Sequence, residues 1–296
     1  MNINKVHRIS GLREIYDNYD IFILDQWGVM HDGYKGYKHS VDCVNKLFEN
    51  DKTLLIISNS SKRNEITLIR LPQLGFNSNF FNGIMTSGEM IWQSLANEKH
   101  LFTKNLGKNC YHIFDQNLKD AKGFLDGLNK FDFVDDLNEA DFILGCTPFA
   151  GKKILDFVPI LEIAKNKNLP FICANPDFET INKESKDLVF CMGTIAELYK
   201  NMGGNIFLLG KPNIEIYTEV LKPFSHINKS RILAIGDSLH HDIKGAKNFG
   251  IDSLLVTSKG IHKDLFDDDH LIWDNPKNIL KNLQIEPTFI CSNLIF

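Results

Sequence analysis

Four short apolar runs, each ending in a polar or charged residue, decide the fold class of this chain. The runs are IFILD (21–25), LLIIS (54–58), IFLLGK (206–211) and ILAIGD (232–237). Continuous apolar runs of this length are typical of strands that are buried on both faces, as in a parallel sheet covered by helices. Helical patterns follow three of the runs, in residues 64–76, 213–224 and 242–251. The alternation of strand and helix predicts a doubly wound α/β domain with a parallel sheet.

The polar residues that end these runs are predicted to meet at one edge of the sheet. In a doubly wound sheet, ligands bind beyond the carboxyl ends of the strands. The residues that would share this edge are Asp25, Ser58, Lys211 and Asp237. The sequence therefore predicts a polar site there.

The spacing of the runs predicts a second domain. The first two runs, and the last two, are each about one strand–helix–strand step apart. The chain between Ser58 and Lys211 is far longer than one crossover needs. It contains strand-like segments and helical candidates of its own, at 88–98, 110–114, 140–146, 154–167 and 169–174. We expect residues 85–190 to form an inserted α/β domain, and residues 1–84 and 191–296 to fold together as a discontinuous core.

Composition argues against several classes of protein. The chain of 296 residues is 43% hydrophobic and 24% charged, with a formal net charge of −4 and no basic run, so nucleic acid is not an expected partner. The sequence contains no run of about 18 apolar residues, which is the pattern that would predict a membrane helix. The first twenty residues lack the apolar core of a signal peptide. The six cysteines have no C-x-x-C or metal-ligand spacing, which favours buried free thiols in a cytoplasmic protein. The sequence leaves open whether the chain forms a homo-oligomer.

The residues at the predicted edge suit phosphoryl transfer. This reaction needs a nucleophile, a metal that holds charge on the phosphoryl oxygens, and donors that fix the remaining oxygens. Mg²⁺ prefers carboxylates, carbonyls and water, so Asp25 and Asp237 are candidate ligands, with Asp242 placed to brace the ion. Ser58 could hold phosphate by a hydrogen bond and Lys211 by its charge.

Four motifs in order make the chain resemble the haloacid dehalogenase superfamily of aspartate-nucleophile phosphatases. The family motif D-x-D-G-[TV] is approximated by DQWGV, and G-D-x-x-x-x-D is matched fully by GDSLHHD. The four segments are DQWGV (25–29), LLIISNSSKR (54–63), GKPN (210–213) and GDSLHHD (236–242). The large insert, with TSGE (86–89) and NPD (175–177), resembles the NagD-like branch of sugar- and nucleotide-phosphate phosphatases. The resemblance spans about residues 20–265 and implies a Rossmann-like core with an inserted α/β cap domain.

The resemblance also implies a role for each matched residue. Asp25 would be the nucleophile that becomes an aspartyl-phosphate, and Ser58 and Lys211 would bind the phosphoryl group. Mg²⁺ would be held by the Asp25 carboxylate, the backbone carbonyl of Trp27 and Asp237.

Two further residues are candidates for substrate binding. Asn59 follows Ser58 in the second motif, and Asp177 stands in the NPD string at the expected junction of cap and core. Each has a simpler interpretation, since a residue at a strand end and an Asn-Pro-Asp string both form ordinary turns. Asp237 and Asp242 could likewise be a helix cap and a first-turn acid.

Trp27 departs from the family pattern, because the family has its second aspartate at this position. In the family that aspartate protonates the leaving oxygen and later activates water, and such help is worth about 10²–10⁴-fold in rate. An indole has no acidic proton to give and no lone pair to accept one. His31, Asp32, His240 and His241 lie close in sequence to the predicted site and are the candidate substitutes.

The sequence thus predicts a Mg²⁺-dependent phosphatase that acts on a small phosphorylated metabolite, with weak activity or a restriction to labile phosphates. The alternative is a non-catalytic phosphometabolite-binding or regulatory protein. Such a protein would have kept the metal and phosphate sites after losing the acid, and Trp27 is the feature that favours it.

Overall fold

The computed structural model describes residues 6–118, 123–181, 188–263, 266–267, 270–271 and 285–296. The strands in chain order are β1 (His7–Arg8), β2 (Ile21–Leu24), β3 (Thr53–Ser58), β4 (Phe81–Thr86), β5 (Asn109–Ile113), β6 (Asp132–Val134), β7 (Phe142–Gly145), β8 (Phe171–Cys173), β9 (Glu179–Ile181), β10 (Leu188–Phe190), β11 (Ile206–Leu208), β12 (Ile232–Gly236), β13 (Asp252–Val256), β14 (Phe266–Asp267), β15 (His270–Leu271) and β16 (Phe289–Cys291).

The α-helices are α1 (Lys38–Glu49), α2 (Asn64–Arg70), α3 (Ser87–Asn97), α4 (Leu101–Lys104), α5 (Val158–Asn166), α6 (Met192–Asn201), α7 (Ile214–Leu221) and α8 (Lys244–Phe249). A π-helix occupies Leu239–Ile243 and runs directly into α8. Short 3₁₀ segments lie at Leu12–Glu14, Tyr16–Asn18, Pro72–Leu74, Ser78–Phe80, Ile154–Phe157, Lys222–Phe224 and Lys229–Arg231.

The larger sheet is parallel and doubly wound. Its seven described strands run in the order β1-β16-β13-β12-β2-β3-β4. From β2 the chain moves outward through β3 to β4, and it later returns through β12 to move outward in the opposite direction. The strand order therefore reverses between β2 and β12, which is the point where ligands bind in sheets of this kind. The predicted α/β fold with a doubly wound parallel sheet is confirmed.

Both faces of this sheet are covered, as the continuous apolar runs predict. In β2, Ile21 and Ile23 belong to one hydrophobic cluster, and Phe22 and Leu24 belong to a second cluster on the opposite face. This alternation follows from the two-residue period of a strand. Helix α1 covers the second face with buried residues at helical spacing: Ser40, Cys43, Val44 and Leu47.

The smaller sheet is built from the chain between β4 and α7. Its five described strands are parallel and run in the order β11-β8-β7-β5-β6, with α5 and α6 packed in a cluster on one face. Helix α3 links the two sheets, because Ile91 and Leu95 share one hydrophobic cluster with Met85 of the larger sheet and Leu144 of the smaller one. An inserted α/β unit is what the spacing of the apolar runs predicts.

One predicted strand lies in the other sheet. The run 206–211 is expected to contribute to the core sheet, but β11 pairs in parallel with β8, with Ile206 opposite Phe171. That expectation is wrong, and the smaller sheet extends past the predicted boundary at residue 190. An apolar strand buried in either parallel sheet has the same pattern, so the run alone does not distinguish the two sheets.

All six cysteines are buried free thiols, as predicted. In the part of the chain that the structure describes, no helix combines the length and the apolar character that crossing a membrane requires.

The packing of β2 leads to a stability prediction. Leu24 is fully buried next to the site-bearing residue Asp25, whereas Leu68 in α2 is 41% exposed. Leu24→Ala should lower the free energy of unfolding by about 2–5 kcal/mol, because it leaves a cavity in a core that cannot fully collapse. The matched control Leu68→Ala should change it by less than about 0.5 kcal/mol. Urea denaturation would measure both, and equal losses would contradict the assignment of β2 to the centre of the core.

Candidate active site

Two aspartates leave the larger sheet side by side at the switch point. Asp25 follows β2 and Asp237 follows β12, and these strands are hydrogen-bonded neighbours. The Asp25 N–H donates to the Ile235 carbonyl (2.9 Å), which extends the pairing by one residue and fixes the Asp25 backbone. One carboxylate oxygen from each of Asp25, Asp237 and Asp242 lies within 4.8 Å of the other two. The three carboxylates are buried, with relative exposures of 8%, 6% and 4%.

The lysine of the third motif bridges this cluster. Lys211 Nζ donates to Asp25 Oδ1 (2.6 Å) and to Asp242 Oδ1 (2.7 Å), and the lysine is only 2% exposed. Lys211 follows a strand of the smaller sheet, so it reaches the edge of the larger sheet from the returning segment of the insert. Lys211 therefore meets Asp25 at the sheet edge as predicted, although it comes from a strand of the smaller sheet and not from the core sheet.

Asn59 fixes the segment that carries Lys211. Its side-chain Oδ1 accepts the Lys211 N–H (2.8 Å), and its Nδ2 donates to the Lys211 carbonyl (3.0 Å) and to Asp177 Oδ1 (2.8 Å). One amide thus joins β3 of the larger sheet to the returning segment and to the start of the β9–β10 hairpin. The sequence proposes Asn59 as a substrate ligand, and its hydrogen bonds reveal a positioning role that no motif predicts.

Ser58 and Asp177 occupy different positions relative to the cavity around Asp25. Ser58 ends β3 and is buried, and its hydroxyl oxygen accepts the Ser60 N–H (3.3 Å). The described lining of the cavity around Asp25 includes Asp177 but not Ser58. Phosphate binding by Ser58 therefore stays a prediction.

Asp242 is placed by the turn of the π-helix. The Ser238 N–H donates to Asp242 Oδ2 (3.0 Å), and the Ser238 hydroxyl caps the helix by accepting the His241 N–H (3.2 Å). A Cβ atom at Gly236 would lie 2.0 Å from the Asp242 carboxyl carbon. The glycine of the fourth motif is therefore required so that this carboxylate can approach the strand end.

Gly28 makes room for the neighbouring carboxylate. Its backbone has φ +73°, and a Cβ atom there would lie 2.3 Å from Asp237 Oδ2. That same oxygen accepts the Ile261 N–H (3.0 Å). Asp237 is thus held between the turn after β2 and the loop after β13.

The electrostatics of the cluster favour a bound cation. Burial, together with the nearby charges of Asp242 and Asp177, raises the pKa of Asp25 to about 7, although Lys211 opposes this shift. Burial and the charges of Asp25 and Asp242 raise the pKa of Asp237 well above its usual value. Burial disfavours the charge on Lys211, but its two carboxylate partners outweigh this effect and raise its pKa. Only two of the three carboxylates bind the lysine, and such an all-oxygen donor set fits a hard divalent ion such as Mg²⁺.

The indole of Trp27 stands beside this cluster. Its ring packs edge-on against His31, with 5.3 Å between centroids and a 72° interplanar angle. Trp27 lines a cavity of about 30 Å³ together with Asp25, Lys211 and Asp237. Metal binding by its backbone carbonyl stays a prediction from the resemblance.

The four candidate substitutes for the missing acid occupy different places. His31 is buried in contact with the indole, and its Nδ1 accepts the Gly33 N–H (3.1 Å). Asp32 Oδ1 accepts N–H donors from the turn that follows it. His241 is the one candidate of the four among the described lining residues of the Asp25 cavity, and its Nδ1 lies 3.0 Å from Ser238 Oγ and 3.3 Å from Asp177 Oδ1. His240 is placed outside that lining.

A second, larger cavity adjoins the first. It has a volume of about 420 Å³ and shares part of its wall with the Asp25 cavity. The shared residues are Trp27, Thr180, Asp237 and Ile261. The sequence analysis does not predict this cavity. A signal for it exists, because the apolar run that becomes β13 is followed by TSKG (257–260), and this polar segment could have been placed at the same sheet edge as the other strand-end residues.

Known proteins with similar sequences and structures agree with this fold. A family model described as haloacid dehalogenase-like hydrolase matches residues 22–123, and a model described as HAD-hydrolase-like matches residues 208–294. A NipSnap protein of Caenorhabditis elegans is 23% identical over 264 residues, which is 82% of this chain. This chain spans about half of that relative's length (48%).

Several solved structures have the same fold. A haloacid dehalogenase-like hydrolase from Brucella suis is 25% identical, with a TM-score of 0.79 over 97% of this chain and 100% of its own. A p-nitrophenyl phosphatase from Archaeoglobus fulgidus has a TM-score of 0.65 at 19% identity, covering 94% of this chain and 97% of its own. A glycerol phosphate phosphatase from Mycobacterium tuberculosis, solved with magnesium, has a TM-score of 0.64 at 18% identity, covering 97% and 78%. The two family models together match more than half of the chain, which belongs to the haloacid dehalogenase superfamily of hydrolases.

The raised pKa of Asp25 predicts how stability changes with pH in the absence of metal. Its folded pKa of about 7 lies above the usual 3.8, so between these values the folded protein binds more protons than the unfolded chain. In excess chelator, the free energy of unfolding should therefore gain a negative contribution as pH rises from about 4 to 7. Asp25→Asn should make that slope less negative by up to about 1.4 kcal/mol per pH unit. Denaturation at several pH values would measure it, and identical slopes would contradict the prediction.

Proposed function

We propose that this chain is a Mg²⁺-dependent phosphohydrolase, which transfers the phosphoryl group of a small phosphorylated metabolite first to Asp25 and then to water. The observation that carries this proposal is the buried cluster of Asp25, Asp237 and Asp242, whose oxygens lie within 4.8 Å of one another while Lys211 bridges two of them. Membership of a hydrolase superfamily supports the reaction class. The magnesium in a structural neighbour supports the metal.

The residues of the cluster divide the work. Asp25 is fixed by its backbone hydrogen bond and offers one oxygen to the phosphorus atom. Asp237 and Asp242, together with Asp25, would hold the divalent ion, which when bound would offset the negative charge of the phosphoryl oxygens. Lys211 places a second positive charge at the same point and keeps Asp25 oriented.

Each bond change has a defined destination for its electrons. In the first step an Asp25 oxygen bonds to phosphorus, and the bond between phosphorus and the leaving oxygen breaks, so that the leaving group departs with the electron pair. In the second step the oxygen of water bonds to phosphorus, and the bond to Asp25 breaks with its electron pair on the carboxylate oxygen. Both protons of the water leave with inorganic phosphate, which is released as H₂PO₄⁻. The leaving group of the second step is the Asp25 carboxylate, whose negative charge is stabilised by the hydrogen bond from Lys211 Nζ.

Trp27 therefore affects the first step most. An alkoxide leaving group requires a proton, since an alcohol is about as weak an acid as water. The indole that lines the site cannot supply that proton. We expect the enzyme to act on phosphates whose leaving groups are already stable anions, and to be about 10²–10⁴-fold impaired on simple alkyl esters.

A non-catalytic binding role is the second candidate. This role is favoured by Trp27, because its indole stands at the wall of the phosphoryl site where a proton donor is expected. In that case the protein would bind phosphate in the presence of Mg²⁺ without turning over any ester.

Replacing the nucleophile tests the enzymatic proposal. With Mg²⁺, the protein should hydrolyse acyl, aryl or anhydride phosphates, and Asp25→Asn should reduce kcat by at least about 10³-fold. Glu49→Gln, which removes a surface carboxylate paired with Lys46, is the matched control and should retain activity. Phosphate release would be measured over a panel of such compounds. Mg²⁺-dependent phosphate binding without turnover of any of them would support the binding role instead.

A pair of glycine substitutions tests the metal site. Gly28→Ala and Gly250→Ala both place a side chain at positive φ (73° and 83°), so both should cost roughly 1–2 kcal/mol of stability. Only the Cβ at residue 28 meets Asp237, because nothing lies within 4 Å of the Cβ position at residue 250. Gly28→Ala should therefore weaken Mg²⁺ binding by about 10–100-fold and Gly250→Ala should leave it unchanged. Calorimetric titration would measure the affinities, and parallel behaviour would argue against Asp237 as a ligand.

A further inference from the structure

The larger cavity beside the phosphoryl site carries three lysines. Lys35 comes from the loop after β2, and Lys259 and Lys263 come from the segment after β13. All three are exposed to solvent at the cavity wall, and among the described residues none of them forms an ion pair. Their charges are therefore available to a ligand in the cavity.

The acidic residues of this wall offset only part of the positive charge of the lysines. Asp32 uses Oδ1 to accept the N–H groups of Tyr34 and Lys35, and Asp237 belongs to the carboxylate cluster. The described lining contains three cationic side chains and these two carboxylates. With Asp237 assigned to the metal site, the part of the cavity that lies away from Asp25 has an excess of positive charge, and such a surface attracts anions.

The remaining wall is suited to an organic group. Trp27 and Tyr37 contribute aromatic side chains, and Ile181 and Ile261 contribute aliphatic ones. Thr180 and Ile181 belong to the β9–β10 hairpin, so the wall combines residues of the core with residues of the insert. A volume of about 420 Å³ lies within the range of small-molecule sites, roughly 300–1,000 Å³.

Position decides which part of a substrate would enter this cavity. A phosphoryl group held by Asp25 and Lys211 would point its leaving oxygen toward the shared wall of Trp27, Thr180 and Ile261, since this is where the two cavities meet. The lysines would then face the leaving group. Positive charge at this position can stabilise a leaving anion electrostatically, which replaces the proton that Trp27 cannot give.

We propose that the substrate is an organic diphosphate, whose terminal phosphoryl group goes to Asp25 and whose leaving group is the remaining organic phosphate, held by Lys35, Lys259 and Lys263. This inference rests on the proposed phosphohydrolase function. The bond between the terminal phosphorus and the bridging oxygen breaks, and the bridging oxygen keeps the electron pair. The organic monophosphate leaves as an anion and needs no proton from the enzyme, because the second pKa of such a phosphate is about 6. The organic portion lies against Trp27 and Tyr37.

Three substrates separate this proposal from its parent. ADP carries a phosphoanhydride, AMP carries the same organic group on an ester, and 4-nitrophenyl phosphate has a labile leaving group without a phosphate. With Mg²⁺, we expect kcat/KM for ADP to exceed that for AMP by at least about 100-fold, in line with the usual contribution of a general acid. Turnover of 4-nitrophenyl phosphate without this preference for ADP would overturn the diphosphate proposal and leave the phosphohydrolase function intact.

The lysines are tested in the same assay. The triple variant Lys35→Met, Lys259→Met, Lys263→Met should lower the ratio of kcat/KM for ADP to that for 4-nitrophenyl phosphate by at least about 10-fold, since each lost charge weakens stabilisation of the leaving phosphate. Lys46→Met, which removes a surface lysine paired with Glu49, is the matched control and should leave the ratio unchanged. A ratio that is unchanged in the triple variant, with an unchanged melting temperature, would overturn the assignment of these lysines. Failure of the wild-type protein to hydrolyse all three substrates would overturn the diphosphate proposal, and failure on the full panel of acyl, aryl and anhydride phosphates would overturn the phosphohydrolase function as well.

Discussion

The site depends on the hydrogen bonds that the ammonium group of Lys211 donates to two carboxylates. It is buried and lies within 2.7 Å of an oxygen of Asp25 and an oxygen of Asp242, so it joins the end of β2 to the π-helix after β12. Breaking such a buried pair by removing one partner typically costs about 3–5 kcal/mol, because a charge is left uncompensated. The same contact connects the insert to the core, since Lys211 lies on the segment that returns from the smaller sheet. Asn59 holds that segment by two hydrogen bonds to the Lys211 backbone, and cluster, sheet edge and insert are thereby fixed together.

Much of the fold and the placement of the main site residues could be predicted from the sequence, for a physical reason. Buried parallel strands must be continuously apolar, and the first polar residue after each one must lie at the sheet edge, so the apolar runs alone suffice to place Asp25 and Asp237 there. The same rule fails for residues 206–211. It identifies a buried strand but carries no information about which sheet the strand joins, and β11 pairs with β8. The strands β13 and β16 are absent from the four runs, although β13 is also apolar and buried.

The parts of the site that sequence reasoning misses depend on contacts between distant segments. The larger cavity is formed where the turn after β2, the hairpin β9–β10 and the loop after β13 meet, and no spacing within one segment reports such a meeting. The positions of the four candidate acids also depend on contacts between distant segments. His31, Asp32, His240 and His241 all lie close to the site in sequence, but the fold alone places His241 in the lining of the Asp25 cavity and packs His31 against the indole, outside that lining.

The hairpin β9–β10 has a consequence for how this protein can change over evolutionary time. It is an antiparallel pair that belongs to neither parallel sheet, and it contributes Thr180 and Ile181 to the wall of the larger cavity. Its two strands form no ladder with the described strands of either parallel sheet, so neither sheet depends on its side chains for hydrogen bonding or register. The carboxylate cluster has no such freedom, because glycines at 28 and 236 leave no space around it. Ligand preference can therefore drift by single substitutions in the hairpin while the reaction centre remains fixed.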